Sequence, residues 1–233
     1  VHLTPDRKFA VFHDWTLDCR TDGSGVTERT AFSVLKTLDI GYGYTADGGK
    51  SFPFRGQGKG LMPDLTEVLE AFPAGRFLVN FKSRRAEEGS ALAALVAARP
   101  EFHGRIFGVY GGEAPTRAAI ASVPGLRGYD RESLKACIVR YAAFGWSGYV
   151  PSQCRGTILA LPVNIARWMW GWPHRFVARM QAVRTDVVLL GAWDGGASAG
   201  IDSDADITLV PEKFDGFVWT NRTETMAGTI KAR

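Results

Sequence analysis

Six short apolar runs, separated by stretches of helical character, set the strongest limit on what this chain can fold into. They cover residues 77–81 (FLVNF), 105–110 (RIFGVY), 126–129 (LRGY), 157–161 (TILAL), 187–190 (VVLL) and 216–219 (GFVW). Runs of this length read as buried strands. Between them, Asp64 and Glu67 stand at capping-box spacing ahead of an apolar run. Residues 86–98 are alanine-rich, and within 131–142 Leu134, Cys137, Ile138, Tyr141 and Ala142 recur at helical spacing. Residues 223–231 read as a closing helix. Buried strands that alternate with helices need a parallel sheet covered by its crossovers, so the fold class is α/β. With no GxGxxG turn, six strands suit most of a TIM-type barrel lacking its beginning. A doubly wound sheet is the alternative.

At 233 residues and 45% hydrophobic, the chain can bury a sizeable core without metal or disulfide staples. The net charge of +4 is spread along the chain and reads as solubility, with no basic tail that would suit nucleic acid. No apolar run approaches the roughly 20 residues of a membrane span. Of three cysteines, none form a CxxC pair. Cys137 and Cys154 can bridge in an oxidising compartment, buried free thiols being the plainer reading, and Cys19 stands apart. The sequence starts at Val1 without Met, so an upstream segment carrying any signal peptide or anchor is expected.

Polar residues on apolar strands mark the candidate site. In FLVNFK, Phe77, Val79 and Phe81 share one face, while Leu78, Asn80 and Lys82 share the other. In a barrel that second face points inward, with its C-terminal end at the catalytic mouth. An amide and an ammonium there suit a metal or a phosphate; two surface residues at a fraying strand end are the plain alternative. The run 9–14 (FAVFHD) ends in His13-Asp14, and histidine can both take and give a proton near neutral pH. Arg20 follows in a glycine-rich turn, free to fork onto phosphate oxygens or to pair with Asp18 or Asp22.

Residues 13–63 resemble the glycerophosphodiester phosphodiesterases. HDWTLDCRTDGSGVTERT, LKTLDIGYGYTADGGKSFPFRGQG and LMPDLTEVLEAF stand in the family's order of an HD, a "tLdRtTdGtG" turn, a "LdaG" element and an "iPtLeEvL" helix. The resemblance extends over most of the chain, more weakly after Lys82. It implies a TIM-type barrel in which residues 1–233 form a single incomplete domain, with the first strand and most of the second missing. It also implies metal-dependent hydrolysis of a glycerophosphodiester to glycerol phosphate and an alcohol. The family's His-Arg-Gly and Glu-x-Asp segments do not occur in this sequence, so the 233 residues are expected to be inactive alone.

On this resemblance His13 is one of two acid/base histidines and Lys82 is the phosphate clamp. Arg20 takes an oxyanion or structural role, and Asp14 is left out of the site, since a carboxylate beside a histidine can serve simply to orient it. Asn80 stands where the family has a glutamate, which makes it an auxiliary ligand to magnesium or calcium that adds no charge. His2 matches a different part of the pattern and is not the missing histidine. Trp219 either packs against the alcohol portion of a substrate or fills the core. The loop at 41–49 covers the barrel mouth or is a structural insertion.

Trp168, Trp170 and Trp172 read either as an interfacial lipid patch or, preferably, as a helix with an inward stripe, His174 then being a cap or surface residue. The expected partner is a small phosphodiester or a lysophospholipid, with peripheral membrane contact carried by the patch reading and the oligomeric state open. Family habit suggests an exported or membrane-tethered bacterial protein. Two other functions stay open: a non-catalytic phosphate- or lipid-binding module, and a related lysophospholipid or sphingolipid phosphodiesterase.

Overall fold

The computed structural model describes residues 1–196 and 199–231, and the chain divides into two compact units, Val1–Leu126 and Arg127–Arg233. The first opens with an antiparallel hairpin of β1 (His2–Leu3) and β2 (Phe9–Ala10), His2 facing Ala10 across the ladder. The sequence run 9–14 is strand-like only at its start. Val11 donates its N–H to Pro63 (2.9 Å) and Ala10 bridges to Asp64, so the chain leaves the hairpin to meet the 60s segment.

Two helices punctuate the long connection that follows, α1 (Phe32–Leu35) and α2 (Leu65–Ala71). The expected capping box starts α2: Glu67 N–H donates to Asp64 (2.8 Å), and Asp64 N–H donates to the Glu67 carboxylate (2.9 Å). Strand β3 (Phe77–Phe81) pairs in parallel with β4 (Ile106–Gly111), joined through α3 (Ala86–Ala98), with α4 (Glu113–Ser122) beyond. Val79 and Phe81 are buried together with Leu69, Leu92, Phe102 and Val109, as the period-two reading of FLVNFK predicts. A Cβ at Gly89 would lie 2.2 Å from the Pro115 carbonyl, so only glycine lets α3 and α4 approach this closely.

The second unit begins with β5 (Gly128–Asp130) and α5 (Arg131–Phe144). Strands β6 (Ile158–Pro162), β7 (Asp186–Leu190) and β8 (Phe217–Val218) then pair in parallel in that order. Helices α6 (Val163–Ala166), α7 (His174–Ala182), α8 (Asp204–Ile207) and α9 (Thr223–Lys231) complete it. All five residues of β6 are buried, the mark of a strand covered on both faces. Its core joins Tyr141, Leu161, Phe176, Met180 and Leu189. Cys137 and Cys154 are joined in a disulfide here, which corrects the reading of both as free thiols, while Cys19 is free and exposed.

The fold is thus α/β with parallel sheets, and among the described residues neither set of parallel pairs closes on itself. The stripe expected over residues 164–180 is only partly inward. Met169, Phe176, Val177 and Met180 are buried and Trp172 packs on Phe176 and Phe214, but Trp168 and Trp170 face outward. No helix among the described residues is long and apolar enough to cross a membrane.

Candidate active site

His13, Asp14, Arg20 and Lys82 come together in the first unit. Asp14 is the hub: one carboxylate oxygen lies 2.7 Å from His13 Nδ1 and the other accepts from Arg20 Nε at 2.9 Å. An ionised carboxylate only accepts, so Nδ1 carries the proton of this contact and Nε2 is the ring's free working face. The hydrogen bond from His13, and then that from Arg20, outweigh partial burial and hold the Asp14 carboxyl below its usual range. Arg20 therefore takes neither Asp18 nor Asp22. Asp18 accepts from Gly25 N–H, and Asp22 accepts from Asp39 N–H at 2.7 Å. Burial pushes the Lys82 ammonium below its ordinary value, with the nearby Asp14 charge acting against that.

The turn that presents Arg20 is locked by glycine. A Cβ on Gly43 would lie 1.5 Å from the Cys19 carbonyl oxygen, and Gly43 N–H donates to Arg20 O at 3.3 Å. The backbones at 19–20 and 43 are thus in direct contact, which brings the Tyr44 ring under the Arg20 guanidinium, 5.1 Å from ring centre to carbon. Beneath this, the buried Asp39 carboxylate accepts from the N–H groups of Gly41 (3.0 Å), Gly58 (2.9 Å) and Gly56. Burial alone raises the Asp39 carboxyl, but the three amides outweigh it and the group sits below its usual range.

A cavity of about 600 Å³ opens beside His13, walled largely by Phe12, Ile40, Tyr44, Phe54, Leu61 and Met62. A mainly apolar concavity with a few convergent polar groups is the usual form of a small-molecule site. The 41–44 loop is one of its walls.

Two further residues belong to this region: Tyr110, which the sequence reading passed over, and His2, which it set aside. Asn80 sits beside Tyr110 in the parallel register, and their side chains are hydrogen-bonded; burial first, with Asn80 opposing, raises the Tyr110 phenol. His2 is fully buried and tilted against the Trp15 ring at 5.6 Å. Burial first, then positive neighbours including Lys82 and His13, outweigh a hydrogen bond with the His13 backbone and lower its pKa to about 4, so it is neutral at pH 7. The signal for Tyr110 was its place at the C-terminal end of a strand; nothing local marked His2.

The described residues do not by themselves fit a divalent ion. No three His, Cys, Asp or Glu side chains among them lie together as a cage, and the Asn80 amide is engaged with Tyr110. Trp219 is a second-unit residue: its N–H donates to Leu189 O (2.9 Å) and its carbonyl accepts from Ile201 (2.8 Å), extending β8.

No protein-family model matches the chain, and no curated protein matches it by sequence. Solved structures do. The glycerophosphoryl diester phosphodiesterase domain of an uncharacterized Mycobacterium tuberculosis protein superimposes with a TM-score of 0.66 at 16% identity, over 90% of this chain and 79% of that one. A glycerophosphodiester phosphodiesterase from Agrobacterium tumefaciens gives 0.64 at 18% identity, over 98% and 84%. At such identities the shared property is the fold, and the chain has the fold of the glycerophosphodiester phosphodiesterases, the family its motifs resemble.

Proposed function

We propose that this chain is the greater part of a TIM-type barrel that hydrolyses phosphodiesters of glycerol, releasing glycerol phosphate and an alcohol. One observation carries the reading. A single carboxylate, Asp14, fixes both an imidazole and a guanidinium at the edge of a cavity, with an ammonium close by. Phosphodiester cleavage needs these groups: cations against the phosphoryl oxygens and a proton carrier at the bridging oxygen.

In this reading Arg20 and Lys82 hold the anionic phosphoryl group. His13, its Nδ1 proton tied to Asp14, uses Nε2 to move a proton to or from the reacting oxygen. His2, buried and neutral, packs beneath and is not the base. Family members use a divalent cation, magnesium or calcium, but the described residues of this chain do not make a site for one, Asn80 being engaged with Tyr110, so no step is assigned to it. The Cys137–Cys154 bridge supports an oxidising compartment, consistent with export.

The cavity favours a second substrate class. Its walls are mainly apolar, so a diester with a hydrocarbon portion, such as a lysophospholipid, fits it better than glycerophosphocholine does. Each methylene buried there adds about 0.8 kcal/mol. In the intact protein His13→Ala is expected to lower turnover at least about tenfold, and Lys82→Ala to weaken binding of the phosphodiester. Kinetics unchanged by both substitutions remove the reading. Lysophosphatidylcholine and glycerophosphocholine assayed side by side separate the substrate classes.

A further inference from the structure

Charge in the second unit is distributed very unevenly. Residues 133–185 contain no Asp or Glu and seven basic residues, Lys135, Arg140, Arg155, Arg167, Arg175, Arg179 and Arg184, leaving the rest of the chain at −3. The same stretch holds large aromatic side chains turned outward: Trp146 is 68% exposed and Trp168 69%, with Phe144, Tyr149 and Trp170 about half exposed or more.

These residues lie on two segments that the fold fastens together. Trp170 Nε1 donates to Ala142 O at 2.8 Å, Tyr141 OH donates to Trp170 O at 3.0 Å, and Arg179 donates to Gly145 O at 2.9 Å. The end of α5 and the turn after it are therefore joined to residues 167–171. The Arg167 guanidinium stands over the Trp168 ring at 5.1 Å, Arg140 is exposed in the last turns of α5, and Arg175 is exposed in the first turn of α7, just beyond residues 167–171.

We infer that this face docks on the surface of an anionic lipid bilayer. Tryptophan and tyrosine are the side chains that settle at the headgroup level, their rings among the acyl carbons and their polar edges in the wet zone. Arginines interleaved with them, and the lack of any carboxylate across the whole stretch, match a negatively charged membrane. Each basic residue near such a surface strengthens binding about fivefold. The aromatic residues protrude from turns and helix ends, so docking is shallow and reversible. A second copy of this chain fits less well, because facing copies would set the exposed Arg140, Arg167 and Arg175 of one against those of the other. The inference concerns the second unit and does not depend on the chemistry proposed for the first.

The test is sedimentation of the chain with vesicles of phosphatidylcholine alone and of equal parts phosphatidylcholine and phosphatidylglycerol, with tryptophan emission read in parallel. Expected is binding to the anionic vesicles about tenfold or more tighter than to the neutral ones, weakened by salt, with a blue-shifted emission. Trp146→Ala with Trp168→Ala should reduce that binding about tenfold while the melting curve stays unchanged, since both side chains are mostly exposed. Arg140→Gln with Arg167→Gln should reduce the preference for anionic lipid. No binding to anionic vesicles overturns the inference. So does binding that the aromatic pair leaves unchanged, or self-association that the aromatic pair abolishes in a chain that ignores vesicles. A preference for an oligonucleotide over anionic vesicles overturns it as well.

Discussion

Removing the Cys137–Cys154 bridge is expected to destabilise the second unit by about 3 kcal/mol. The bridge spans a sequence separation of 17. Closing a loop of that size takes roughly 10 cal/mol/K of entropy from the unfolded chain, which gives that figure at 25 °C. Spread over Arg127–Arg233, with an unfolding entropy of about 2.1 cal/mol/K per residue, the loss lowers Tm by about 13 °C. The Cys137→Ala, Cys154→Ala double variant also loses sulfur packing against the buried core around Tyr141 and Leu159, so its shift should equal or exceed this. Calorimetry on the variant, and on wild-type chain refolded with a phosphine reductant, gives the two values to compare. A shift under about 3 °C in both samples refutes the loop-entropy reasoning. A variant that shifts while refolded reduced chain does not would put the effect in packing alone. Because the closed loop carries Phe144, Trp146 and Tyr149, loss of the bridge should also loosen half of the aromatic face.

Asp14→Asn keeps the shape but replaces the acceptor that orders His13 and Arg20; turnover in the intact protein is expected to fall about tenfold or more, with the acid limb of its pH profile displaced. Gly43→Ala cannot be accommodated against the Cys19 carbonyl, so it should unseat Tyr44 and close or distort the cavity, read as lost binding of lysophosphatidylcholine by calorimetry. Asp39 and Asp47 both titrate below their usual values, Asp47 at about 2. Their contributions are present above the unfolded carboxyl value of about 3.9 and are lost as pH falls through the depressed ones. The first unit should therefore loosen in acid, and Asp39→Asn should flatten that limb in a circular-dichroism titration.

Much of the architecture was legible because it is written locally. The span of β3 and of α3, and the Asp64–Glu67 box, follow from signals within a few residues of each other. Features set by distant partners were not legible. Asn80 looked available to a metal because its partner Tyr110 lies 30 residues on, and only the parallel register puts the two side by side. The run 9–14 had strand composition, yet Pro63 and Asp64 draw it away after Ala10. The charge pattern was present in the sequence all along. Read as a total of +4 it suggested only solubility, whereas read by segment it separates an acid-free stretch, residues 133–185, from the rest.

The same distinction explains the aspartates of the first unit. Between β2 and α2 the chain runs for more than fifty residues with little regular structure, and those of its N–H groups that are shielded from water still need an acceptor. Carboxylates supply many. Asp6 accepts from Phe32 and Ser33, Asp22 from Asp39, Asp39 from three glycines, Asp47 from Lys50 and Ser51, and Asp64 from Glu67. Charge-assisted bonds of this kind are about twice as strong as neutral ones, so an irregular segment gains a fixed geometry without strands or long helices. That rigidity is what a site on a loop requires, since His13 and Arg20 keep their relation only while the turns beneath them hold still. The glycines follow from the same design: a Cβ on Gly41 would lie 2.3 Å from the Phe54 carbonyl oxygen and one on Gly58 would lie 2.3 Å from Gly41 N, while Gly56 holds a left-handed φ of 83°.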